Sequence, residues 1–402
     1  MQRELCLRNT TAAAASALGG WVALNSHLLN DYGGVPRLAM VGFALLVLAW
    51  RLGMPGRVTG FLILLAWHMG AGSGIPWAWA TFFGNGWGWV GLLIWSAICA
   101  LPALVLPARF YPLTLCAAVL ITAATPIGMM SPMVAATSFF PGLGWLGLAA
   151  AALLLAAPAI KNNRAFAAAG IAVLFAGSIL NDRYTLAHND VKDLPEGAWA
   201  LQANDGGRAG SVHDWLMRQG RLSMAVASGM EDGARLAVTY EGATDSWGAM
   251  SQAFWKKPTE VATAQDSTAL LGLYRKNPDG PDWQSGLLDL ATGQFYPAAV
   301  PMPLSMWHPW RRDQHMPMDF GVLTQQITTK VGRAAYVMCY EEMLLWPLAF
   351  KMAGERPDFI ISAANMWFTT PALAEAQNRS IEFQKRLWGL PLLRAVNLAG
   401  TH

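Results

Sequence analysis

Between Arg37 and Leu180 the sequence contains no aspartate or glutamate. The six charges in that stretch are all basic: Arg37, Arg51, Arg57, Arg109, Lys161 and Arg164. A soluble helical domain carries mixed charges on its solvent face, so this absence excludes one. Cysteine is scarce too. Cys6, Cys99, Cys116 and Cys339 form no C-x-x-C pair, and Cys339 alone lies in the second half. That excludes a disulfide framework and a cysteine-based zinc site. No cofactor motif is present, and no basic stripe marks direct contact with nucleic acid.

What is present is apolar surface. Of 402 residues, 54% are hydrophobic and 13% charged, and 19 are tryptophan. A bilayer core requires about 20 apolar residues per helix. Seven stretches qualify as spans: Thr11–Leu29, Pro36–Leu52, Val58–Ala78, Trp87–Leu106, Tyr111–Met130, Phe140–Ile160 and Ala165–Leu180. The first follows Met1-Gln2-Arg3 and precedes further spans, so it reads as an uncleaved anchor. Trp77, Trp79, Phe82, Phe83, Trp87 and Trp89 suit an aromatic belt at a membrane interface. With the N-terminus inside, Arg3, Arg8, Arg51, Arg57, Arg109, Lys161 and Arg164 fall on the inner side and Arg37 on the outer. This positive-inside bias predicts a multi-pass membrane protein with a cytoplasmic N-terminus, and it places everything after Asp182 outside the cytoplasmic membrane. Gly84-Asn85-Gly86-Trp87-Gly88 looks like a phosphate loop but follows no strand, and reads as a turn between helices. His68 and Asn85 are polar groups at membrane depth.

From Asp182 onward the balance changes to 20 Lys/Arg and 23 Asp/Glu, so two domains are expected, 1–181 and 182–402. Short apolar runs now alternate with helical patterns, which predicts an α/β layered domain. Strands are expected over 198–204, 235–241, 269–274, 333–339, 359–363 and 392–397, with a hairpin over 284–300. Helices are expected over 211–220, 247–256, 342–352 and 371–387.

Two of these strands end on chemistry. Arg235-Leu236-Ala237-Val238-Thr239-Tyr240 delivers Glu241, and Ala335-Tyr336-Val337-Met338 delivers Cys339, with Glu341 and Glu342 behind it. Functional groups in open α/β sheets collect beyond the carboxyl ends of strands. A carboxylate beside a thiol can take its proton as sulfur attacks a carbonyl carbon, giving a thioester. Each residue also has a plainer reading, since free cysteine is a common core residue and a strand-end acid is commonly just solvated.

Four segments resemble successive landmarks of the carbon–nitrogen hydrolase (nitrilase) superfamily: Tyr240-Glu241, Val337-Met338-Cys339-Tyr340-Glu341, Ser362-Ala363-Ala364-Asn365-Met366-Trp367-Phe368 and Leu392-Leu393-Arg394-Ala395-Val396-Asn397-Leu398-Ala399-Gly400. Spans ahead of such a domain resemble the apolipoprotein N-acyltransferase architecture, and within it the chain is most similar to TraB-type conjugal transfer proteins. The resemblance implies an αββα sandwich with Cys339 as nucleophile, Glu241 as general base and Glu341 as supporting acid. The family's lysine has no counterpart: its place falls on Tyr296 or Ala298, and the glutamate after it meets Leu304-Ser305-Met306. Lys276, Lys330, Arg311 and His308 are the nearby groups able to substitute. The family's final strands and last membrane helix are also missing, the chain ending at His402.

The resemblance implies an inner-membrane protein that assists conjugal plasmid transfer, with Cys-dependent amide hydrolysis or acyl transfer in its second domain. The alternatives are an apolipoprotein N-acyltransferase or a catalytically inactive scaffold. Expected partners are membrane lipid and the conjugation machinery or envelope proteins. His308 and His315 flank Asp313 in a Met- and Trp-rich stretch that reads as a membrane-facing loop rather than a metal site.

Overall fold

The computed structural model describes residues 2–25, 35–53, 56–84, 86–106, 111–156, 176–177, 179, 183, 194–207, 210–278, 280–308, 310 and 315–398. The chain divides into two compact units. The first comprises Met1–Asp190, Met343–Leu345 and Thr369–Gly389, and the second comprises Val191–Glu342, Trp346–Phe368 and Leu390–His402. The boundary therefore departs from a single cut at 181/182, because a late segment returns to the helical unit.

The first unit is helical. Its elements are α1 (Gln2–Leu24), α2 (Val35–Leu52), α3 (Arg57–Ala71), α4 (Ile75–Phe83), α5 (Gly88–Ala100), α6 (Pro102–Val105), α7 (Tyr111–Ala123), α8 (Pro132–Thr137) and α9 (Gly144–Ala156). Gly19 and Gly42 meet where α1 and α2 cross, and a Cβ on either would strike the other's carbonyl. Small residues at such crossings let helix backbones approach closely.

Seven spans are expected, but helix length supports fewer among the described residues. One stretch, Gly88–Val105, is long and apolar enough to cross a bilayer, and α3 with α4 forms a second candidate bent by 63°. The expected third span breaks between Ala71 and Ile75, where Gly72 and Gly74 stand. The fifth stops at Ala123, and Leu113–Ala123 and Gly144–Leu155 are shorter apolar helices. The span expected over 165–180 lies almost wholly outside the described residues, as does Asn85. On either side of it, α4 ends at Gly84 in the left-handed region (φ 68°) and α5 begins at Gly88. His68 shares its Nδ1 with the Leu64 carbonyl at 2.8 Å.

The second unit is built on two five-stranded sheets. The strands are β1 (Ala198–Ala200), β2 (Gln202–Ala203), β3 (Leu236–Val238), β4 (Thr268–Lys276), β5 (Trp283–Asp289), β6 (Phe295–Pro297), β7 (Ile327–Thr329), β8 (Gly332–Met338), β9 (Phe359–Met366) and β10 (Leu392–Leu398). One sheet has the order β1-β3-β4-β5-β6 and the other β2-β10-β9-β8-β7. Parallel pairing joins β3 to β1 and β4, and β9 to β8 and β10. Strands buried on both faces read as continuous apolar runs, as β8 and β9 do. The inner faces share one core, with Leu236, Leu271 and Leu287 from one sheet and Tyr336, Ile361 and Ala395 from the other.

The run expected as one strand over 198–204 serves both sheets. Leu201 separates β1 from β2; its N–H donates to Val238 O at 2.9 Å and its carbonyl accepts from Val396 N at 3.2 Å. Helices α10 (Val212–Glu231) and α11 (Ala249–Ala264) pack together over the first sheet, contacting β3 and β4 respectively. Ser211 caps α10, its Oγ accepting from Asp214 N at 3.1 Å. The sandwich of two sheets implied by the resemblance is thus present. Helix α12 (Leu345–Lys351) follows β8, while α13 (Pro371–Trp388), the crossover between β9 and β10, groups with the first unit.

Candidate active site

Strands β3 and β8 sit in different sheets, and both run out toward the same point. Glu241 lies three residues past the end of β3 and Cys339 one residue past the end of β8. Their side chains are hydrogen-bonded to each other. Both are buried. The structure therefore unites two residues that are far apart in sequence.

The backbone at Cys339 is held in the left-handed region, with φ 36°. A non-glycine residue there costs on the order of 1–3 kcal/mol and is retained where surrounding contacts fix it. Those contacts come from Glu341. Its Oε2 accepts from Met338 N at 2.9 Å, and its Oε1 accepts from Ala299 N at 2.7 Å and Val300 N at 3.0 Å. The carboxylate behind the cysteine thus turns away from the thiol. It ties the strand end of β8 to the segment after β6.

Glu241 is placed by a close approach of β4. A Cβ at Gly272 would strike the Tyr240 carbonyl and crowd Glu241 Cα at 3.0 Å. Gly272 N donates to Thr239 Oγ1 at 2.8 Å, fixing the same turn. Ser285 on β5 donates its hydroxyl to Glu241 Oε1 at 2.8 Å.

The electrostatics follow from burial. Loss of hydration raises the Glu241 carboxyl to about 7, opposed by the hydrogen bonds of Ser285 and Cys339 and assisted by the charges of Glu341 and Glu342. Burial also pushes the Cys339 thiol well above its usual range, and the Glu241 charge adds to this. Cys339 Sγ lies 3.8 Å from the Asn365 carbonyl oxygen. Burial raises Glu341 too, opposed first by Lys351.

Sequence reasoning missed four residues at this centre. Glu342 is fully buried, accepts two hydrogen bonds of 2.9 Å from Arg394 and is bonded by Ser362. Lys351 is also fully buried, donating to Val322 O at 3.1 Å with its Nζ 3.9 Å from the centroid of the Tyr336 ring. Burial lowers its amine to about 8. Asn365 accepts from Asn397 Nδ2 at 2.9 Å, linking β9 to β10 beside the thiol. Ser285 is the fourth. Asn365, Asn397 and Arg394 lie within the motif segments and Glu342 directly follows one, whereas Ser285 and Lys351 carry no local signal.

The substitutes for the absent lysine are placed elsewhere or are not described. Lys330 pairs with Asp266 at the surface. Lys276 is the exposed last residue of β4. His308 shares Nδ1 with Met306 O at 2.9 Å. Arg311 lies outside the described residues. Tyr296, at the lysine's place, is buried with its ring 6.1 Å from that of Tyr336. Ala298 lines a cavity of about 110 Å³ that also touches Ser285.

No protein-family model matches the chain. It is 25% identical over 437 aligned residues to the conjugal transfer protein TraB of Agrobacterium fabrum, covering 97% of this chain and all of that one. It is 26% identical over 392 residues to the probable conjugal transfer protein TraB of Sinorhizobium fredii, covering 89% and 94%. The chain is thus similar to TraB proteins along most of its length. Among solved structures, a mutant of the amidase from Nesterenkonia sp. AN1 carrying acrylamide added at its active-site cysteine aligns at 12% identity. The alignment covers 50% of this chain and 76% of that one, with a TM-score of 0.31. A second mutant of that nitrilase-superfamily amidase aligns at 13% identity with a TM-score of 0.32.

Proposed function

We propose that this chain is an inner-membrane protein assisting conjugal plasmid transfer, and that its two-sheet domain cleaves or transfers an acyl group in the periplasm. The observation that carries the chemistry is the hydrogen-bonded pair of Cys339 and Glu241, buried at the carboxyl ends of two strands. The likeness to TraB proteins supports the biological role. The one-sided basic residues of the first half support seven spans with the N-terminus in the cytoplasm.

Burial sets the form of the reaction. With the thiol pushed up and the acid near 7, the resting pair near neutral pH is a thiol beside a half-ionised carboxyl group, and the carboxylate form is the reactive one. Sulfur attacks the carbonyl carbon while its proton passes to Glu241. The tetrahedral intermediate collapses as that proton moves to the leaving nitrogen or oxygen, and the bond from carbon to that atom breaks. Water, or an acceptor amine, then attacks the thioester as Glu241 takes its proton. Expelled sulfur recovers that proton from Glu241, closing the cycle. Glu341 positions the elbow and does not touch the reacting atoms.

The test uses full-length protein in membranes. Cys339→Ala and Glu241→Gln should lower plasmid transfer, and an acrylamide-type electrophile should label Cys339 in the wild type and label it more slowly in Glu241→Gln. Normal transfer by Cys339→Ala with no labelling of the wild-type thiol would sink the enzymatic reading. A scaffold is the second reading, favoured by the high thiol pKa, and that same result would support it. A C-terminal reporter active in the cytoplasm would overturn the topology.

A further inference from the structure

The cavity that touches Ser285, the hydrogen-bond partner of Glu241, has an uneven chemistry. About 110 Å³ in volume, it is lined by Asn277, Trp283, Ser285, Ala298 and Asp319 among others, and holds several heavy atoms. Among the described residues no lysine, arginine or histidine lines it, and Asp319 is the one charged side chain that does. Asp319 Oδ1 accepts from Gly321 N at 2.9 Å, and a carboxylate retains further acceptor capacity on both oxygens. Ser285 directs its single hydroxyl proton to Glu241, so its oxygen can only accept from an occupant of the cavity. An indole, here that of Trp283, is the best aromatic face for a cation.

Beyond Ser285 stands a carboxylate that has no counter-charge among the described residues. Glu342 has Arg394, and Glu341 feels Lys351. Glu241 has Ser285 and Cys339 as hydrogen-bond partners and no ion pair among the described residues. The centre collects three buried carboxylates and leaves the reacting one unneutralised.

We propose that this cavity binds a primary ammonium group carried by the substrate, so that the acyl compound supplies the positive charge missing beside Glu241. An ammonium has three donors and no acceptor, matching the acceptors of Asp319 and Ser285. An anionic group meets no donor cation among the described lining residues, and a purely apolar group leaves Asp319 desolvated. The substrate class is then an amide or ester with a primary amine a few atoms from the scissile carbonyl. This rests on the proposed acyl chemistry, but the cavity is tested by binding alone.

Full-length Cys339→Ala protein in detergent, at constant ionic strength, is titrated with propylammonium chloride and, separately, with 1-propanol of similar size. The expected result is saturable stabilisation, a rise of a few degrees in melting temperature, with propylammonium only. Asp319→Asn should abolish that selectivity, and Ala298→Met, which fills the cavity, should abolish the response. Equal shifts with both probes, no shift with either, or selectivity retained in Asp319→Asn would each overturn the proposal. None of these outcomes depends on Cys339 labelling, so failure of the acyl reading shows separately.

Discussion

Arg394 grips Glu342 through two hydrogen bonds of 2.9 Å, one from Nε and one from a terminal nitrogen. The carboxylate is fully buried and one residue beyond the acid that shapes the cysteine elbow. A planar guanidinium meeting a carboxylate edge-on gives direction as well as charge.

Removing that guanidinium strands a buried charge. Arg394→Met should destabilise the second unit by about 3–5 kcal/mol. The double change Arg394→Met with Glu342→Gln should recover a large part of this, because no lone charge remains. Denaturant unfolding of the detergent-solubilised chain checks both. Equal midpoints for wild type and Arg394→Met would show that the grip contributes nothing.

Glu241 predicts a pH dependence of stability. Its folded pKa of about 7 lies above its ordinary 4.5, so the folded state holds a proton that the unfolded state releases between those values. The contribution is fully present below about 4.5 and is lost as pH rises through 7. Glu241→Gln, which cannot ionise, should therefore be more stable than wild type at pH 8 by on the order of 3 kcal/mol, with the gap closing toward pH 4.5. Thermal melts across pH 4.5–8 measure it. The same titration predicts that Cys339 labelling accelerates through about pH 7 in the wild type and not in Glu241→Gln.

Lys351 carries the opposite sign on the basic side. Its folded pKa of about 8 lies below the ordinary 10.5, so its burial is destabilising below 8 and relieved as pH rises toward 10.5. Lys351→Met removes that penalty but leaves Glu341 without its nearby cation and takes the ammonium donor from the Val322 and Gln325 carbonyls. The variant should lose stability at pH 7, and its stability should no longer rise between pH 8 and 10. A rise persisting in Lys351→Met would assign the titration to another group.

Gly272 tests the placement of the base. Gly272→Ala puts a methyl group against the Tyr240 carbonyl and Glu241 Cα, so the turn carrying the carboxylate must shift. The expected result is a fall in Cys339 labelling of at least tenfold, with loss of stability of about 1–3 kcal/mol. Labelling at the wild-type rate would show that the turn tolerates the methyl.

Much of this arrangement was legible from residue order. The apolar runs ending on Glu241 and Cys339 identified both strands, since a buried parallel strand has no other composition available to it. The role of Glu341 was not legible. Its place two residues from the thiol suggests a chemical partner, and only three-dimensional structure shows the carboxylate turned onto three backbone amides. Lys351 was invisible because a lysine on a short helix normally reads as solvated. Leu201 looked like the middle of one strand, and no periodicity announces a change of sheet. The third apolar stretch is not one long helix because Gly72 and Gly74 interrupt the backbone without interrupting hydropathy.

The route of the chain between β9 and β10 bears on how the protein can be handled. Helix α13 has its companions in the first unit: Leu373 lies against Gly74, Leu387 against Gly147, and the Trp388 ring 5.4 Å from that of Trp145. Buried Arg379 reaches Val22 O of α1 at 3.5 Å. A water-soluble fragment cut out at the linker would carry this helix stripped of those companions, with greasy side chains exposed midway through its own sheet crossover. Such a fragment should aggregate on expression, while restoring the anchoring helices in trans should rescue it.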